Sequence, residues 1–87
     1  MTFRIETATR GKVRVFILSG RIEKSAIAEL RRLLELQTEH SEMALDLKDV
    51  SVIDRDVMRF FMHCEEHGVK LENCPSYIRE WMNREKD

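Results

Sequence analysis

Apolar and polar residues alternate at the start of this chain, and the period then lengthens. Phe3, Ile5 and Thr7 alternate with Arg4 and Glu6, which predicts a strand from Thr2 to Thr9 with one wet face. Arg10-Gly11-Lys12 is a tight turn. From Val13 to Ser19 both faces are apolar: Val13, Val15 and Ile17 on one, Phe16 and Leu18 on the other. Such a strand belongs in the middle of a sheet. The connection is too short for a crossover, so the two strands should form an antiparallel hairpin that ends at Gly20.

The period then becomes helical. Ala26, Ile27, Leu30, Leu33, Leu34 and Gln37 fall on one stripe, which predicts a helix from about Glu23 to Thr38. His40-Ser41-Glu42 returns the chain to a third strand, Met43 to Leu47, where Leu45 and Leu47 alternate with Asp46 and Lys48. A turn rich in aspartates follows, and Asp54 is placed to cap a second helix from about Arg55 to His67. Val57, Phe60, Phe61 and Cys64 form its apolar stripe, and Gly68 suits the left-handed position after a helix. Val69 to Glu72 reads as a short fourth strand whose edge is exposed, with Lys70 and Glu72 turned outward. Asn73-Cys74-Pro75 opens a last helix with Tyr77, Ile78, Trp81 and Met82 inward, and Asn83 to Asp87 should fray. The order β-β-α-β-α-β-α implies a small α/β domain with a mixed four-stranded sheet, in a single unit over residues 1–87.

Composition narrows the function classes. Lys and Arg number 15 against 16 Asp and Glu, a formal net charge of -1, which does not suit a general nucleic-acid binder. There is no polybasic membrane signal and no apolar run of spanning length, and Met1-Thr2-Phe3-Arg4 lacks the apolar core of a signal peptide. A cytoplasmic protein is expected. Cys64 and Cys74 do not make a disulfide framework or a paired metal motif, and Cys64 is expected as a buried thiol.

Three groups invite chemistry. His63-Cys64-Glu65-Glu66-His67 matches the H-x-x-E-H pattern of inverted zinc peptidases, but a five-residue match is weak, and a solvated helix face is the expectation. Asp46, Asp49, Asp54 and Asp56 crowd one predicted turn and could hold a hard cation. Lys48 and Arg55 are interleaved and would neutralise them instead, so no metal or cofactor is expected. Met58 and Met62 lie four apart beside the Phe61 stripe, either as peripheral core or as an adaptable docking surface. No nucleophile-base-orienter set and no glycine-rich phosphate loop stands out, so a non-enzymatic role is expected.

Leu45-Asp46-Leu47, Val50, Ile53-Asp54, a helix, then Gly68-Val69, Leu71, Asn73 and Pro75 resemble a STAS domain, the module of anti-sigma-factor antagonists and sulfate-transporter tails. Leu18-Ser19-Gly20-Arg21-Ile22 resembles that family's strand-to-helix step, and the similarity runs from about Phe3 to Arg84. Fuller members continue through a further strand and helix, so the resemblance implies a C-terminally shortened member. Antagonists of this family carry Asp-Ser-Ser-Gly where this chain has Asp54-Arg55-Asp56-Val57, and their second serine is the phosphoacceptor. The resemblance therefore makes Asp56 the phosphoacceptor equivalent, a fixed carboxylate that partly mimics phosphate. Val57 replaces the glycine, which keeps a partner's backbone further away.

It implies bacterial-type regulation through a protein partner, an anti-sigma factor or its kinase or another regulator. The contact would involve Asp54, Arg55, Asp56, Met58 and Met62. Any homodimer should use helix faces, because the edge charges oppose strand pairing. The alternatives are a STAS-like sensor of a small molecule or nucleotide, and a metal-dependent enzyme.

Overall fold

The computed structural model describes residues 3–36 and 42–86. The strands are β1 (Phe3–Arg10), β2 (Val13–Ile22), β3 (Glu42–Ile53) and β4 (Lys70–Glu72). A turn of 3-10 helix (Lys24–Ala26) leads into α1 (Ile27–Glu35), and α2 (Arg55–Glu66) and α3 (Ser76–Lys86) follow β3 and β4. The protein is thus a small mixed α/β fold. Its sheet order is β1-β2-β3-β4, with β1 antiparallel to β2 and the other pairs parallel. Among the described residues β1 and β4 are the edges, and both carry charges: Arg4 and Glu6 on one, Lys70 and Glu72 on the other.

Helices cover one face of the sheet. Phe16, Leu18, Leu45 and Leu47 point into one cluster with Leu30 of α1, Phe60 and Phe61 of α2, and Ile78 and Met82 of α3. That period-two set from the strands meets period-3.6 sets from the helices, which is the pairing a two-layer domain requires. Val15 and Ala44 face the other way and are still buried. Arg10 and Glu72 lie on this rear face by strand register, and their side chains form an ion pair that links the two edge strands.

The third strand differs most from expectation. It runs twelve residues, to Ile53, where the sequence pattern predicts an end at Leu47 and a turn. The alternation fails after Leu47 because the buried positions step by three, to Val50 and then Ile53. Each step coincides with a register shift against β2: Ile17 pairs with Asp46 but Ser19 with Asp49, and Gly20 pairs with Val50 but Arg21 with Val52. Each irregularity places an extra residue on β3, as a β-bulge does, so a strand there does not look like one in sequence. Gly20, expected to end β2, instead continues it with φ 86 next to the second shift.

The other differences are smaller. The first helix is preceded by its 3-10 turn and stops at Glu35; the expected Gln37 and Thr38, the loop residues His40 and Ser41, and the strand start at Thr2 lie outside the described residues. α3 continues through Asn83 to Lys86, and only Asp87 of the predicted fray lies outside the described residues. One cause is on the surface, where Arg59 of α2 donates to the Glu85 carboxylate from Nε and Nη2 at 3.2 and 2.9 Å. Arg79 makes a second two-point pair to α2 through Glu65, at 3.0 and 3.1 Å, and this bonding pushes its guanidinium pKa up. Tyr77, expected inward, is 45% exposed, and its hydroxyl donates to the Ser51 carbonyl at 2.6 Å.

Cys64 is buried on the α2 stripe, and desolvation pushes its thiol pKa up to about 11, only partly opposed by the Arg31 charge. A group that holds its proton more tightly when folded loses stabilising power as pH rises. Between the unfolded value of 9.0 and about 11 the native state binds more protons, so stability falls through that window. Urea titrations at pH 8 and pH 11 should show wild type losing about 2 kcal/mol more than Cys64→Ala over this range. Equal losses in the two proteins would show that Cys64 ionises freely.

Candidate functional site

The site with the most definite local chemistry is the junction of β3 and α2. Ile53 is buried at the strand end, and Asp54 turns the chain with extended backbone (φ -98, ψ 178) before the first helical residue. Both oxygens of its carboxylate accept a backbone hydrogen bond. Oδ1 accepts from the Val57 N–H at 2.9 Å, which caps α2, and Oδ2 accepts from the Lys24 N–H at 2.8 Å. One side chain therefore ties the start of α2 to the 3-10 turn that precedes α1. Asp54 positions the junction; its oxygens point to the protein's own backbone.

Arg55 and Asp56, the next two residues, are both exposed. None of the ion pairs among the described residues includes either of them, so the expected neutralisation of neighbouring aspartates by Arg55 does not occur there. Asp56 sits in the first turn of α2, where the helix dipole favours a negative charge. Arg55 at the same end is disfavoured by that dipole, and its exposure leaves the guanidinium in water.

The methionines separate. Met58 is completely buried, so it is core and has no surface to offer a partner. Its place one turn before Met62 made the two look alike in sequence, but position 58 faces the sheet beside Val57 and Phe61. Met62 is half-buried against the core and remains accessible. The junction surface thus comprises Arg55, Asp56, Arg59 and Met62, with Asp54 beneath it and Met58 inside.

The four aspartates do not converge. Because β3 is extended, Asp46 and Asp54 are roughly 25 Å apart at about 3.3 Å per residue. Asp46 Oδ1 accepts from the Lys48 N–H at 3.0 Å and from the Asn73 side chain at 3.2 Å, serving the turn after β4. Asn73 holds positive φ (52°) in that turn. His63 and His67 do share a helix face, with ring centroids 4.1 Å apart, and His67 Nδ1 lies 2.8 Å from the His63 carbonyl oxygen. Among the described residues no three His, Cys, Asp or Glu side chains are arranged to hold a metal ion.

One feature was not anticipated. An open groove lies between α1 and α2, lined by Lys24, Ile27, Ala28, Arg31, Asp56, Arg59 and Phe60, with a volume of about 490 Å³. The signal was present in the spacing, since Lys24, Ile27/Ala28 and Arg31 recur at helical intervals, as do Asp56, Arg59/Phe60 and His63. It is hidden by the stronger apolar stripes beside it. The groove adjoins the junction at Asp56, so the two form one surface.

The fold and this junction define a class no narrower than a small mixed α/β domain with a helix-capping strand end. No family model matches the sequence, and no curated protein is similar enough to count as a relative. No helix among the described residues is long and apolar enough to cross a membrane.

Proposed function

We propose that this chain is a non-catalytic, STAS-like regulatory module that binds a protein partner through the junction of β3 and α2. The partner class that best suits the resemblance is an anti-sigma factor or a regulator built like one. The observation that carries this reading is the pair Arg55 and Asp56, two exposed charges with no ion-pair partner among the described residues, on a backbone fixed from below by Asp54. A rigid scaffold that presents unneutralised charge is what steering and registering a partner requires. Asp56 stands at the phosphoacceptor position of the resembling family, so its charge is permanent and binding is constitutive.

The test is site-specific photo-crosslinking in the cells that make the protein. A photoreactive residue at position 55 or 62 should capture one protein species, and a probe at Thr9 on β1 should not. With the probe at position 62, Arg55→Glu should weaken that capture at least about tenfold, the scale on which charge reversal at a docking surface acts. Equal capture from position 9 and position 55 would refute the junction as the binding face.

A further inference from the structure

The groove between α1 and α2 extends beyond its first compartment. A second one, of about 270 Å³, shares Arg31 and Phe60 with it and continues to Leu34, Met43 and His63. Both walls repeat at helical spacing, so the two compartments make a trough running along the helices. Over residues 24–35 it is roughly 17 Å long at about 1.5 Å per residue, the length of three helical turns. A trough walled by two helices, with an apolar floor, has the shape that receives a third helix.

Charge decides which helix. Lys24 and Arg31 have no carboxylate within ion-pairing distance among the described residues, and the Arg31 guanidinium rests 5.8 Å from the centre of the Phe60 ring. Arg59 also lines the groove but is bonded to Glu85 and contributes less. Against these cations stand Asp56 at one end and Glu35 toward the other. The chain as a whole carries a formal charge of -1, so the first compartment is a local excess of positive charge over an apolar floor.

We propose that this groove docks an acidic amphipathic helix of the partner protein. The helix lays its apolar face on Ile27, Ala28, Leu34 and Phe60 and brings Asp or Glu side chains to Lys24 and Arg31. The inference rests on the partner-binding reading above and adds to it the chemistry of the partner: helical, apolar on one side and acidic at its margins.

The intact protein can be screened against a displayed library of helical peptides of random sequence. Selected peptides should carry Leu, Ile or Phe at i, i+3/i+4 and i+7 with flanking Asp or Glu. Amide shifts on adding one such synthetic peptide should fall at residues 27, 28, 31 and 60. Binding should weaken at least about tenfold in the double variant Lys24→Glu/Arg31→Glu, and in Ala28→Trp, which fills the groove from an exposed position. Selected peptides that are basic or neutral, or that bind the filled variant equally well, would overturn the proposal. So would concentration-dependent self-association abolished by Ala28→Trp, because a second copy would then own the groove. The two readings fail separately. A partner captured at position 55 that ignores both groove variants overturns the groove and leaves the junction standing. Peptides held in the groove with no capture at position 55 overturn the junction.

Discussion

Phe61→Ala should lower the stability of the protein by about 3–5 kcal/mol. Phe61 has no exposed surface and sits where the middle of α2 meets the sheet, in one cluster with Phe16, Leu45, Leu47 and Ile78. Truncating a fully buried aromatic side chain costs about 3–5 kcal/mol through lost transfer energy and an unfilled cavity. A chain of 87 residues has a total stability of roughly 4–13 kcal/mol at 0.05–0.15 kcal/mol per residue, so the loss takes a large part of it. Phe61→Leu keeps much of the volume and should cost roughly 1–2 kcal/mol. Urea unfolding followed by circular dichroism reads both, as a shifted midpoint with an unchanged slope. A Phe61→Ala protein with a wild-type midpoint would mean that α2 does not pack on the sheet as described.

The second large effect belongs to Asp54. Asp54→Ala removes the cap of α2 and the acceptor for the Lys24 N–H together. Loss of an N-cap costs about 0.5–2 kcal/mol, and the second bond, at an exposed site where water replaces it in part, adds about 0.5–1 kcal/mol. The melting temperature should therefore fall by roughly 10 °C, at about 4–8 °C per kcal/mol for a domain of this size. Asp54→Ser retains a capping oxygen without the reach to Lys24, so it should fall between alanine and wild type. Serine and alanine variants that melt together would show that the cap contributes nothing. Because Asp54 also sets the backbone under Arg55 and Asp56, its alanine variant should weaken partner capture more than its stability loss explains.

Much of this architecture was readable from period alone. The hairpin turn at Gly11, the two-sided apolar face of β2, the α2 stripe of Val57, Phe60, Phe61 and Cys64, and Gly68 with φ 91 after that helix all follow from local rules that the tertiary structure obeys. What was not readable depends on partners distant in sequence. The extension of β3 through Asp49 and Ser51 is set by its register against β2, and the two shifts that break its alternation are invisible without that neighbour. Tyr77 lies beside the apolar stripe of α3, yet its hydroxyl finds the Ser51 carbonyl on that same extension. Met58 and Met62 differ in burial because one faces the sheet and the other its margin, a matter of a fraction of a turn. Of the candidate site, the capping role of Asp54 followed from its position before Val57, whereas its bond to Lys24 required the fold.

Constitutive binding at the junction, as proposed, can be measured directly. The intact protein, incubated with the partner it captures at position 55 and then with ATP and magnesium, should come through with its mass unchanged. Partner retention on the immobilised protein should be the same before and after ATP. Ser51 is the hydroxyl to watch, because it is exposed on the β3 extension a short distance before Asp56. A mass increase of one phosphate at Ser51 together with release of the partner would contradict a permanently charged, unswitched binding face.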